Sequence, residues 1–167
     1  MPSAPLPPEL VAFLRSPRQA VVGTVRPDAL PVTTACWYGL EPDGRVLLTM
    51  DRESFRLRHL RANPRVVFTV LGSDWYNHLS LLGRAVDFRE DERLADIDRL
   101  SRHYLGVPYE DRHYTGVTVV VEVDRYHTWG DPAAEARQSP GRAARPPAAV
   151  STGSQRGSSP RSRNYQQ

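Results

Sequence analysis

The segment RESFRLRHLRAN, residues 52–63, sets four arginines around a serine and then runs into the apolar stretch RVVFTV. A guanidinium is a planar fork that grips phosphate or carboxylate oxygens in pairs. The first turn of a helix adds unpaired N–H groups and about half a positive charge. Arg52, Arg56 and Arg58, with the Ser54 hydroxyl, therefore compose either a phosphate cradle or a solvated helix face. Threonines give a second cue. Thr33 and Thr34 in PVTTACWYG, and Thr49 in LLTM, could bond a ligand or serve only as β-formers. Aromatic residues give a third. Trp37, Tyr38, Trp75, Tyr76 and Trp129 could wall a planar ring, or pack a core or a subunit interface. The five histidines have neither i,i+4 pairing nor HExxH spacing, and the single Cys36 cannot build a disulfide or a cysteine metal site, so no metal centre is expected. Serine-hydrolase, P-loop and dinucleotide-binding glycine motifs are absent from the sequence.

The elements that must position these residues follow from periodicity and punctuation. Residues 7–16 read as a short helix with Leu10, Phe13 and Leu14 on one face. Strands are predicted at 19–27, 30–40 and 45–50, with EPDG (41–44) as the turn before the third. The arginine-rich helix, 52–63, turns Phe55, Leu57 and Leu60 inward and ends at Pro64. Strands at 65–72 and 75–88 come next. A helix at 90–106 opens on acidic residues and closes at Gly106, and a long strand, 116–130, ends the body. Six strands joined by short turns pair antiparallel. With few helices to cover two faces, they predict a mainly β (α+β) fold: a six-stranded antiparallel barrel with flanking helices.

Of 167 residues, those from about Asp131 onward are rich in Pro, Ala, Ser, Gly and Arg and poor in large apolar side chains. The composition predicts one domain over 1–130 and a disordered tail over 131–167. The net charge of +3 is unevenly spread: residues 1–130 hold 16 Arg against 17 acids, and residues 131–167 hold 6 against 2. A near-neutral body argues against a nucleic-acid face. No apolar run is long enough to span a bilayer, and MPSAPLPPEL lacks the basic and apolar regions of a signal peptide, so the expectation is a cytoplasmic protein without membrane or nucleic-acid partners. The chain contains no lysine, so any phosphate site must use Arg, backbone N–H or hydroxyl groups.

Five segments, in order and spacing, resemble the pyridoxamine 5′-phosphate oxidase-like split β-barrel superfamily. They are VGTVRPDALPVTTACWY, LLTM with SFRLRHLRANPRVVFTV, DWYNHLSLLGRAV, ADIDRLSRHYLGVPY and VDRYHTWG. Within it the chain is most similar to the deazaflavin-dependent oxidoreductase B group of actinobacteria, the PPOX-class proteins that use coenzyme F-420. The likeness spans about residues 9–130. Arg56 stands where these proteins usually have Lys, His59 where they have Asn, and Asp28-Ala29 where they have Asp-Gly.

The resemblance implies a homodimer with cofactor sites between subunits. It implies that Val32, Thr33, Thr34, Ala35, Thr49 and Met50 line the flavin or deazaflavin ring. Ser54, Phe55, Arg56 and Arg58 would take the phosphate. Trp75 and Tyr76 would lie near the cofactor or across the interface, and Trp129 near the ring edge. The expected function is an oxidoreductase passing a hydride between coenzyme F-420 and a small organic substrate, with Tyr38, Tyr76 or solvent as proton donor. An FMN-dependent flavoprotein of the same fold is the alternative, and a non-catalytic flavin, deazaflavin or haem carrier is the alternative of another class.

Overall fold

The computed structural model describes residue 1 and residues 4–138. The body is a seven-stranded antiparallel sheet with helices at its ends and on one flank. In chain order the elements are α1 (Pro8–Arg15), β1 (Ala20–Val25), β2 (Pro31–Cys36), β3 (Gly39–Leu40), β4 (Val46–Asp51), α2 (Phe55–Ala62), β5 (Arg65–Leu71), β6 (His78–Glu90), α3 (Ala95–Leu105), β7 (Gly116–Trp129) and α4 (Pro132–Gln138). A 3-10 turn, Glu92–Leu94, leads into α3. No described helix is long and apolar enough to cross a membrane.

The strand order β2-β1-β5-β6-β7-β4-β3 explains why the sheet must curl. Its two edges, β2 and β3, are joined by Trp37 and Tyr38 alone. Three trans peptide steps reach at most ~11 Å, whereas the outer strands of a flat seven-stranded sheet stand ~29 Å apart. The sheet therefore rolls until its edges meet, which gives the split barrel that the sequence predicts. The strand count is seven instead of six because the second expected strand, 30–40, breaks at Trp37-Tyr38. Tyr38 is drawn into the core, where its hydroxyl donates to the Leu14 carbonyl at 3.0 Å, and Trp37 stacks on Tyr104 with ring centroids 5.4 Å apart.

Alternation fills the barrel. Val46, Leu48 and Met50 of β4 face inward with Val117, Val119 and Val121 of β7, and Phe68, Val70, Leu79 and Leu81 complete the wall. Phe13 and Leu14 of α1 and Leu57 and Leu60 of α2 join the same core. β4 shows its other face to α3: Leu47 is fully buried, and a Cβ on its neighbour Gly39 would lie 3.1 Å from a Leu100 methyl. Prolines start α1, and Asn63 before Pro64 adopts the extended backbone that ends α2. Asp91, itself buried, accepts the Asp96 and Ile97 amides at 2.8 and 2.9 Å and so caps α3.

One stretch differs from the sequence reading. The described chain continues past Asp131 as the helix α4, which packs Ala133 and Ala136 against the core although the composition predicts disorder there. The rest of the expected tail, 139–167, lies outside the described residues.

Candidate functional site

The expected site residues fall into three groups. The first is the start of α2. Ser54 caps the helix by accepting the Leu57 amide at 3.3 Å. The first turn contains no acidic residue, so its N–H groups and dipole have no built-in anion. Arg56 is half-buried and makes no salt bridge among the described residues. Its charge is felt by Cys36 at the end of β2 and by Tyr114 in the loop before β7. Burial pushes the Cys36 thiol up to about 11, and Arg56 opposes the shift. Tyr114 is also raised, first by desolvation and then by Asp51. Arg58 lies over the exposed Phe55 ring at 4.3 Å, a cation–π contact that leaves the pair at the surface. Arg52, expected as a further cation for the ligand, is paired with Glu90.

Around this start, β1 and β2 fix which threonine faces where. The register Val22↔Thr34 and Thr24↔Val32 puts Thr34 and Val32 on the face of the buried Val22 and Thr24, toward α2. Thr33 and Ala35 pair with Gly23 and Val21 and face the opposite way. There a groove of about 430 Å³ opens across β2, β1, β5, β6 and β7, with Thr33, Val67, Leu82, Arg65 and Arg125 in its lining. Gly23 forms part of its floor; a Cβ there would sit 2.7 Å from a Val67 methyl.

The third group is aromatic. Trp75 and Tyr76 stand on the loop between β5 and β6, edge to face at 5.5 Å and largely exposed, and Trp129 is exposed at the end of β7. The register aligns Cys36, Ala20, Val70, Leu79 and Thr128 in one row across five strands. Along the sheet Trp129 is therefore ~19 Å from the end of β2, and the strands that carry the Trp75–Tyr76 loop are ~10–14 Å from it.

The surroundings of three further expected residues can be stated. Tyr38 is 2% exposed, its hydroxyl bonds a main-chain carbonyl, and its ionisation is pushed well above 10 by burial and by Tyr104, so it is a structural residue and not a proton donor. The Met50 side chain is in the core, leaving only its backbone to face a ligand. Thr49 pairs with Thr118, whose hydroxyl donates to Asp96 of α3, so it stands on the α3 side of β4 and away from the barrel interior. The sequence marked His59 only as a departure from the family pattern; it is 8% exposed with Nδ1 3.1 Å from the Thr24 hydroxyl and locks α2 to β1. Its signal was the polar residue between two inward leucines of α2.

The donor set suits a phosphate: a half-buried guanidinium unpaired among the described residues, a helix start without acids, and a serine cap. Among the described residues no group of His, Cys, Asp or Glu could hold a metal ion.

Comparison with known proteins agrees with this architecture. The solved structure of an F-420 reductase superposes with a TM-score of 0.64 at 26% identity, covering 74% of this chain and 98% of that one. A conserved hypothetical protein of Mycobacterium tuberculosis gives 0.60 at 24% identity over 84% and 92% of the two chains. General stress protein 26 of Bacillus anthracis gives 0.54 at 21% over 72% and 91%, and these two likenesses bear on the fold alone. Among curated proteins none matches the sequence. The family model for pyridoxamine 5′-phosphate oxidase matches residues 6–130, three-quarters of the sequence and the whole rolled sheet, and the chain belongs to that family.

Proposed function

We propose that this chain is a homodimeric oxidoreductase that uses coenzyme F-420 to reduce a small organic substrate. The observation that carries the reading is Arg56: half-buried on the first turn of an acid-free helix, without a carboxylate partner among the described residues. The likeness to an F-420 reductase over nearly all of that protein supports the choice of cofactor. When bound, the deazaflavin supplies the hydride. The protein's own part is binding and orientation. Arg56 grips the phosphate as a fork, the Ser54 turn contributes N–H donors, and Arg58 adds a screened surface charge. On the α2 face of the edge strand β2, Val32 and Thr34 are only partly covered and offer a wall for the ring, while Thr33 and Ala35 stand on the opposite face, along the groove. Val67, 40% exposed beside the groove, gives the uncovered sheet face an apolar centre for the second subunit. Of the tyrosines expected as proton donors, only Tyr76 is exposed; solvent is the other source.

The test is a titration of the protein with the deazaflavin and with FMN, followed by tryptophan quenching. Tighter, micromolar binding of the deazaflavin is expected. Tighter FMN binding, or none of the deazaflavin at that level, overturns the choice.

A further inference from the structure

The loop between β5 and β6 buries almost none of its own side chains, yet it is tied down at both ends. Ser73 donates its amide and its hydroxyl to the Glu135 carboxylate of α4, at 3.0 and 2.9 Å. The same carboxylate accepts Arg18 at 2.9 Å, and both side chains are nearly buried, at 14% and 12% exposure. Arg18 is itself fixed: its Nε donates to the Phe13 carbonyl at 3.1 Å and its guanidinium lies over the Phe13 ring. A Cβ at position 72 would come within 2.5 Å of Glu135 Oε1, so Gly72 leaves the room that the carboxylate needs. At the other end of the loop, the Asp131 amide donates to Asn77 Oδ1 at 2.9 Å, and Asn77 in turn donates to Asp74. Asp74 Oδ1 accepts the Tyr76 amide at 2.8 Å.

What these ties hold in place is a pair of exposed rings, Trp75 at 73% and Tyr76 at 66%. A loop that merely connects two strands needs no partly buried ion pair reaching across from the end of the domain, and large aromatic side chains left bare together mark a binding surface. We propose that Glu135 is a positioning residue: through Ser73 it holds the Trp75–Tyr76 loop as the aromatic wall of the ligand site. The segment from Asp131 to Gln138 is then part of the functional unit. The role of the wall rests on the oxidoreductase reading above; the positioning itself does not.

The experiment uses the full chain. Amide hydrogen exchange is followed at residues 73–77 and in β5 and β6, and binding of coenzyme F-420 and of FMN is followed by tryptophan quenching. Glu135→Ala should speed loop exchange at least tenfold with strand protection kept, and weaken binding of the preferred probe about fivefold or more. Glu135→Gln, which retains an acceptor for the Ser73 amide, should recover most of both. Because Glu135→Ala leaves a nearly buried guanidinium unpaired and could unfold the protein, the double variant Arg18→Met/Glu135→Met is measured beside it. That variant keeps the packing and removes only the tie. Loop exchange equal to wild type in the double variant overturns the proposal whatever the probes do. Faster loop exchange with unchanged probe affinity overturns the role of the loop as a wall. Failure of both probes to bind the wild type overturns the oxidoreductase reading, and loop exchange still decides the positioning.

Discussion

Arg56 is the residue on which the functional reading turns. Charge-assisted hydrogen bonds contribute about 1.5–3 kcal/mol each, so Arg56→Ala should weaken cofactor binding roughly ten- to a hundredfold. Arg56→Lys should recover much of that loss. Arg58 is exposed over Phe55; its removal should cost on the order of 0–1 kcal/mol, and the loss should shrink with added salt. Titrations of the three variants at two ionic strengths check the ranking; wild-type binding by Arg56→Ala with an unchanged Tm would return α2 to the status of a solvated face. Ala29 is a residue whose cost is visible. It adopts φ +67 in the turn between β1 and β2, the left-handed region that favours glycine. Ala29→Gly should relieve ~1–2 kcal/mol of backbone strain and give back ~0.4–1 kcal/mol through the looser unfolded chain. A small net gain in Tm is the expected result. His59 sets a pH dependence. Its pKa is lowered, first by burial and then by Arg26 and Arg58, with Asp28 opposing. The folded state therefore favours the neutral ring. Its contribution is complete above the unfolded value near 6.5 and is lost as pH falls through the lowered folded value. His103 is lowered too, by burial. Asp98 is lowered, chiefly by its hydrogen bond from Arg112, and loses its contribution only below the ordinary carboxylate range. His59→Asn should therefore flatten, but not abolish, the fall of Tm between pH 7.5 and 5.5.

At the scale of elements, the strongly patterned ones were legible. The helix predicted at 52–63 forms at Phe55–Ala62, and the long last strand predicted at 116–130 forms at Gly116–Trp129. Both rest on local signals, a serine cap with a terminal proline in one and a valine run in the other. The break at Trp37-Tyr38 was not legible, because its causes are the Leu14 carbonyl and the Tyr104 ring, far away in sequence. The α4 helix was missed for a related reason. Its alanines carry little hydrophobic weight, and its anchor, Glu135, finds Arg18 and Ser73 only in the fold. The site shows the same division. The arginine cluster could be read from composition, whereas the pairing of Arg52 with Glu90 and the turning of Met50 into the core depend on register between distant strands. The β6–β7 ladder shifts register at Leu82/Gly83, and a Cβ at Gly83 would stand 2.1 Å from the Glu122 carbonyl oxygen. Such close approach is why glycines sit at bulges. Gly83→Ala should force the two longest strands apart and destabilise by ~1–3 kcal/mol, as overpacking does; a denaturant midpoint that does not move would contradict the contact.

For the whole molecule, the packed segment extends past Asp131 into α4. A chain ending at 138 should keep the Tm and cofactor affinity of the full protein. A chain ending at 130 loses the Glu135–Arg18 pair and the packing of Ala133 and Ala136. Its Tm should fall by several degrees, in line with losing a partly buried ion pair together with the helix packing. Equal melting of the two truncated forms would show that α4 adds nothing to the body. The joining of the sheet's two edges by Trp37 and Tyr38 has a mechanical consequence. Most of the cylinder is welded by ladders of hydrogen bonds, but β2 and β3 end the strand order and form no ladder with each other, so a two-residue clasp closes the seam. Parting a weld breaks a row of backbone bonds at once, whereas easing the clasp disturbs only the stack of Trp37 on Tyr104 and the hold of Tyr38 on Leu14. The seam is the compliant line in an otherwise stiff wall, and it runs past Cys36, within the field of Arg56.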